Sequence, residues 1–343
     1  MINYQQSSIL TLGMPEVFGE HQFFHDHTLR RAVRKAGQFS IRVFRSRISA
    51  TTSHSGFIAA PEPIPLTSFE PAENFAHVGL EVDESGLDGI IDERMPAYLT
   101  IPNFHKSIYG HWIADLLPGL FVAKNLLPGL NIRFLHSGPV PAYGYALLAA
   151  LGLDETCLVD ALGLDGNAMH QLVSMTPLRQ HDYVHAGLLR RHFVPPVRAI
   201  AAAAASPIEN SLIYVSRRNW QEIRPDTRAL TNRDDVEAVF ARAGYRIFSP
   251  EQYSVAEQIA VFRQARVVAG ESGSGLHNSI FMQPDGRVIC IQSGRQTHLI
   301  QASLCDLFGQ SCAYVIGRPE NADWSANFRA SLADVDSAIA AAI

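Results

Sequence analysis

Residues 266–278 read RVVAGESGSGLHN. The run 266–269 predicts a buried strand, the glycine-serine run 270–275 a loop, and 276–282 a helix. A strand that feeds a helix through a glycine-rich loop is the repeating unit of a parallel α/β sheet. Working outward, the same alternation recurs. Residues 211–217 (SLIYVSR) form the pattern of a short buried strand. Asn232 then reads as an N-cap, with Val236, Val239, Phe240 and Ala243 at helical spacing and Gly244 as the stop. Residues 245–248 give a second strand. Ser254 and Glu257 make a capping box that opens a helix carrying Ile259 and Phe262. Pro284-Asp285-Gly286 is a turn, and 288–292 is a fourth strand. Residues 211–292 therefore predict a parallel sheet with helices on both faces. In such a sheet the strand-to-helix loops share the carboxyl edge, where ligands bind. The loops 217–231, 249–253 and 270–275 are expected to converge there.

The whole chain has 343 residues, 47% of them apolar and 18% charged, which excludes disorder over most of its length and suggests two domains. A net charge of −5 argues against a general nucleic-acid binder, which needs a basic excess. Cys157, Cys290, Cys305 and Cys312 form no C-x-x-C pair and no zinc spacing, so reduced core thiols and a cytoplasmic location are expected. Neither a signal peptide nor a membrane-spanning apolar run is read. The amino-terminal half is less legible. Residues 39–43 and 132–136 read as strands, and 146–151 as helix. Residues 60–65 are proline-rich, and 109–124 read as helix with Pro118 as a kink. Residues 195–207 fit a connector or a polyalanine helix, and 324–343 one amphipathic helix. The expected division is an α/β domain over 1–205, a second over 206–318, and a terminal helix over 319–343.

The loop Gly270–Gly275 is the sharpest chemical signal. Main-chain N–H groups at a helix start attract anions, and glycines let an oxyanion approach the backbone. Leu276-His277 stands where a P-loop has Lys-Ser/Thr, so this is not a P-loop; Asn278 breaks the dinucleotide fingerprint, and Ser274 breaks the nucleophile elbow. The same residues also fit a tight connection with no ligand. Arg217 and Arg218 follow the first strand and could face the loop as forked phosphate donors, or form a solvated surface pair. His111 and Asp115 are four apart, so on a helix they share a face; this suits a general base, or a helix-stabilising pair under Trp112. Glu251 could accept from a ribose or base, or cap the helix that begins near Ser254. The cluster Glu20, His21, His25, Asp26 and His27 matches no defensible metal spacing and reads as a polar turn.

Taken in order, these residues resemble glycosyltransferase family 61. The resemblance runs through Tyr214–Arg218, Arg228-x-Leu230-x-Asn232, Gly244-Tyr245, Ser249-Pro250-Glu251, Glu257-Gln258, Val267–Gly270, Gly273–Asn278 and Phe281-Met282-x-Pro284. Upstream, Asn103, His111-Trp112, Asp115 and Pro118 resemble the family's amino-domain signature. The resemblance implies two Rossmann-like α/β domains facing a cleft, the GT-B architecture, with the terminal helix crossing back to the first. It implies an inverting, metal-independent transfer of a sugar from a nucleoside diphosphate, UDP by preference, to a hydroxyl of a glycan or polysaccharide of the capsular kind. No cofactor is implied, and peripheral membrane association is compatible with it. On this reading the diphosphate lies on the amides of Gly273, Ser274, Gly275 and Leu276 and on Arg217 and Arg218. His111, oriented by Asp115, is the base, with Asp115 as its substitute. Glu251 and Asn278 lie at the nucleoside or sugar. Many family members have His where this chain has Ser272, and His277 is the residue that could compensate. The alternative is a non-catalytic sugar-nucleotide or polysaccharide-binding protein on the same fold. A dehydrogenase is a third reading, disfavoured by the imperfect glycine fingerprint.

Overall fold

The computed structural model describes residues 2–19, 21–50, 80–82, 91–100, 103–204, 212–224 and 227–343. The proline-rich segment 60–65, Glu20 and the expected domain boundary at 205–206 lie outside the described residues. The chain divides into two compact α/β units. The first comprises Met1–Ile9, Ala36–Gln180 and Gly187–Phe193, and the second Leu10–Lys35, His181–Ala186 and Val194–Ile343.

In the second unit five parallel strands appear along the chain as Leu212–Val215, Arg246–Phe248, Val267–Glu271, Arg287–Ser293 and Ser311–Pro319. Numbered in that sequence, their order across the sheet is 2-1-3-4-5. Glu16–Phe18 adds a further parallel strand beside the fifth. Alternate side chains enter opposite layers, as strand geometry requires. Tyr214, Val267, Ala269, Ile289, Ile291 and Val315 pack under Val236, Val239 and Phe240 of one helix and Val335, Ala338 and Ile339 of the last. On the other face lie the helices Val255–Gln264 and Ile300–Phe308. The capping box at Ser254 and Glu257 is formed as read.

Three local expectations are corrected. Residues 324–343 are not one helix: Phe328–Arg329 pairs antiparallel with the fifth strand, and the helix is Leu332–Ala342. That helix belongs to the second unit and completes its own core, where the resemblance placed it crossing to the first. Asn232 precedes its helix without capping it. Its side chain instead pairs with both backbone groups of Ala330, which satisfies a buried strand end.

In the first unit the parallel strands Pro96–Thr100, Asn131–His136, Leu158–Asp160 and His170–Met175 lie in one sheet, extended antiparallel by Arg34–Ser46. Helix formation in 109–126 is broken up around Pro118. Proline has no N–H to give the carbonyl four residues back, and its ring crowds that carbonyl. The preceding turn Trp112–Leu116 widens accordingly, with Leu117 N–H bonding Trp112 O, and a regular helix resumes at Leu117–Leu126. Widened turns of this kind recur at functional sites. The polyalanine segment is helical over Val194–Ala203, with two prolines in its first turn.

Candidate active site

The order 2-1-3-4-5 has its topological switch point between the first and third strands, and ligands bind at the carboxyl ends of the strands there. Val215 ends the first strand and Glu271 the third, and they are paired one residue apart, Val215 opposite Gly270. The loops that leave them carry Arg217 and residues 272–275. Arg217 Nη1 donates to Ser272 O at 2.7 Å, and Arg228 Nη2 donates to the same carbonyl at 2.6 Å. A Cβ on Gly273 would lie 3.1 Å from Arg217 Nη1, and one on Gly275 would touch Pro250 and Val215 at 3.3 Å. All three sequence-predicted loops thus meet.

Arg217 and Arg228 form no ion pair with a carboxylate among the described residues. Burial lowers the Arg217 pKa, with Glu271 acting against that shift. Burial, with the charge on Arg217 adding to it, brings Arg228 down to about 10. Two guanidinium groups held this close, without a paired anion, are a site for one. The backbone adds donors: Gly273, Ser274 and Gly275 precede or begin the short helix Ser274–Phe281, and their N–H groups meet no acceptor among the described residues. The Leu276 N–H, expected in the cradle, bonds Gly273 O instead and is not offered.

Several other predicted residues are placed elsewhere. Arg218 turns away from the loop, donating to Asp234 and to Glu237 Oε2 at 2.7 Å. His277 is buried, with Nδ1 2.9 Å from Gln301 Oε1, and so does not replace the family histidine. Asn278 is fully buried and donates to Gln258 Oε1 at 2.7 Å. Gln258 in turn donates to the carbonyls of Pro250 and Tyr253, so Asn278 supports the 250–253 loop from inside. Glu251 is exposed on that loop, near enough for its charge to be felt at Arg217. Ser272 presents its carbonyl to the arginines while its side chain bonds the buried Cys290 thiol. Its identity therefore matters less to the cradle than its backbone. Glu271, buried at the end of the third strand, takes a forked pair from Arg233 at 2.6 and 3.1 Å and ties the helix Arg233–Arg242 to the sheet. A cavity of about 270 Å³ lined by Glu16, Arg287, Asp306 and Cys312 lies at the opposite, amino-terminal ends of the fourth and fifth strands, away from these groups.

Gly270 fixes the switch point. A Cβ there would come 2.7 Å from Val215 O and 2.9 Å from Val215 Cβ, and a backbone carbonyl in a ladder cannot move aside. Gly270→Ala is expected to cost about 1–3 kcal/mol, as overpacked sites do, and to spread the arginine site. Thermal unfolding checks the first effect and nucleotide calorimetry the second. Gly163→Ala, where nothing lies within 4 Å, is the control expected to change neither.

The first unit brings His111 and Asp115 together as read. His111 Nδ1 lies 2.5 Å from Asp115 Oδ2. Arg179 grips the same carboxylate in a fork, with Nε to Oδ1 and Nη2 to Oδ2 both at 2.8 Å. Burial opposes ionisation of Asp115, but Arg179 and His111 outweigh it and hold the carboxyl well below the usual range. So held, Asp115 is a poor proton acceptor and a strong orienter. Its carboxylate keeps the Nδ1 proton, which places the basic lone pair on Nε2. His105 stacks on His111 with centroids 4.2 Å apart. His105, His111 and Asp115 each offer a ligand atom within 4.8 Å of the others. A cation there would compete with the Arg179 fork for both carboxylate oxygens. Arg179 was not singled out from sequence. Arg179 is 64 residues from Asp115 with no local motif. Arg228 stood in a quoted motif, but nothing in its spacing showed that its side chain reaches residue 272.

The second unit thus carries two arginines and free loop amides at the switch point of a doubly wound sheet, and the first unit a histidine–carboxylate dyad. The description Glycosyltransferase 61 matches residues 109–289, more than half of the chain and a span that holds both groups, and the chain belongs to that family of glycosyltransferases. No curated protein is matched. Membership brings a sugar donor and an acceptor as substrates. Among the described residues no helix is long and apolar enough to cross a membrane.

Proposed function

We propose that the protein is an inverting, metal-independent glycosyltransferase that takes its sugar from a UDP-sugar and passes it to a hydroxyl of a glycan or surface polysaccharide, with the two units serving as the donor and acceptor lobes of a GT-B enzyme. One observation carries the reading: Arg217 and Arg228 converge on Ser272 O with no carboxylate partner among the described residues, beside the amides of Gly273, Ser274 and Gly275. That set matches a diphosphate in charge and in donor geometry, and gives the negative charge on the leaving nucleotide the stabilisation a divalent cation would otherwise supply. Glu251, exposed on the neighbouring loop, is the acceptor for ribose or base hydroxyls or N–H groups.

In the reaction the acceptor oxygen bonds the anomeric carbon as the bond from that carbon to the diphosphate oxygen breaks. The hydroxyl proton goes to His111 Nε2, and the electron pair leaves with UDP. One displacement inverts the anomeric configuration. The four cysteines carry no disulfide, which fits a reducing, cytoplasmic setting where nucleotide sugars are at hand.

The test is UDP release from the purified chain, in EDTA, with a panel of UDP-sugars and polysaccharide acceptors. Acceptor-dependent release is expected, and EDTA is expected to leave its rate unchanged. Absence of UDP binding by calorimetry would overturn the donor assignment. Binding without turnover on any acceptor would favour a non-catalytic sugar-nucleotide binder instead.

A further inference from the structure

Lys106 is buried, with 6% of its surface exposed, and the dyad does not use it. It ends the short helix Asn103–Lys106 that follows the strand Pro96–Thr100, and its ammonium donates to Ser137 O in the turn after the parallel strand Asn131–His136. Both positions lie at the carboxyl edge of the first unit's parallel strands, the edge where α/β sheets take ligands. Ser137 is followed by Gly138 at φ +66°, and a Cβ on Gly138 would lie 3.8 Å from Lys106 Nζ, so the ammonium sits over this turn. His136, 7% exposed, has Nδ1 3.0 Å from Gly138 O; that nitrogen therefore carries the proton and Nε2 the lone pair. The Trp112 indole N–H donates to Lys106 O at 2.9 Å, which ties this corner to the turn that carries His111 and Asp115.

A buried ammonium is ordinarily matched by a carboxylate. Lys106 forms no ion pair among the described residues. The acid whose charge reaches it is Asp160, opposite His136 in the sheet, and the Asp160 carboxylate accepts the Leu162 N–H of its own turn at 3.0 Å. Ser137 O satisfies one of the three ammonium protons.

We propose that Lys106, with His136 beside it, is a subsite for the carboxylate of an acidic acceptor sugar: the ammonium holds the carboxylate, and the His136 Nε2 lone pair accepts a neighbouring hydroxyl. One cation already offset by the field of Asp160 suits a single negative charge and not a phosphate dianion. A glycan gives that charge through a uronic acid. This inference rests on the proposed transferase function, because it names the class of acceptor.

The experiment is calorimetry on the full chain, with and without UDP, using an oligosaccharide that contains glucuronic acid and its carboxyl-reduced counterpart. The acidic form is expected to bind at least about tenfold tighter, the scale of one charged hydrogen-bonded contact. Lys106→Met is expected to erase that preference, Lys106→Arg to retain it, and neither to alter UDP affinity. A purely structural lysine predicts a lowered melting temperature for Lys106→Met; removal of an unmatched buried ammonium predicts an unchanged or raised one. Equal affinity for the two oligosaccharides, no binding of the acidic one at millimolar concentration, or stronger competition by a sugar phosphate would overturn the proposal. If UDP itself does not bind while the acidic preference stands, the failure belongs to the donor assignment alone.

Discussion

Arg217→Ala and Arg228→Met each weaken UDP binding by at least roughly thirtyfold, the lower end of the loss for truncating one partner of a buried, hydrogen-bonded charge pair, while Arg218→Ala changes it less than about twofold. The three arginines lie within twelve residues, and composition or motif gives no reason to treat them differently. Their partners do. Arg218 is held by Asp234 and Glu237, which raise its pKa, and it has no charge to offer a ligand. Among the described residues Arg217 and Arg228 share a carbonyl and no carboxylate. The sign of the stability effect separates a ligand site from a structural brace. Burial brings the Arg228 pKa from 12.5 down to about 10. At pH 7 the group is charged in the folded and the unfolded chain, so the penalty is present in full and begins to lift only as the pH passes about 10. It is on the order of 3 kcal/mol. Arg228→Met in the absence of nucleotide is therefore expected to melt no lower than the parent chain, and UDP, which raises the parent's melting temperature by mass action, is expected to leave the variant's unchanged. A variant that melts several degrees lower and still binds UDP would show that the arginines brace the loop.

The second unit is largely legible in the sequence, because its signals are local. Residues 211–292 alternate short apolar runs with 3.6-period runs. The parallel rule then places the strand-to-helix loops on one edge without further information. The long-range contacts were not legible. Asn232 has the residue type and position of an N-cap, yet a strand end 98 residues away takes its side chain. His277 and Asn278 continue the glycine loop in sequence, but the short helix that begins at Ser274 turns both inward, where Gln301 and Gln258 receive them. The loop's backbone faces the ligand edge and its last side chains face the core. In the first unit the dyad was readable from its i,i+4 spacing. The Arg179 fork that ionises Asp115 was not, because the two residues lie on separate elements joined only by folding.

His111→Ala is expected to lower kcat by about 10²–10⁴-fold, the range for loss of a general base, with UDP affinity unchanged, a melting temperature lowered by less than that of Asp115→Asn, and partial recovery of activity on adding imidazole. Asp115→Asn is expected to behave differently, because Asp115 has two tasks. Its loss removes the orientation of His111 and also leaves the Arg179 guanidinium beside a neutral amide in a buried place. Removing one member of a buried pair costs on the order of 3–5 kcal/mol. The pH dependence identifies the carboxylate as the source. Its folded pKa is depressed below the ordinary 3.8 by Arg179 and His111, against the opposing effect of burial. A depressed acid stabilises the fold fully above the unfolded pKa and loses that contribution as the pH falls through the folded one. The stability gap between the parent and Asp115→Asn should thus be constant from neutral pH down to about pH 4 and close below it. Denaturant titrations at pH 7, 5, 4 and 3 measure the gap directly. A gap that already changes between pH 7 and 5 would place its origin outside the Asp115–Arg179 fork. If His111→Ala kept full activity, the dyad would be reduced to a helix-stabilising contact above Trp112, and proton transfer in this enzyme would have to run through another group.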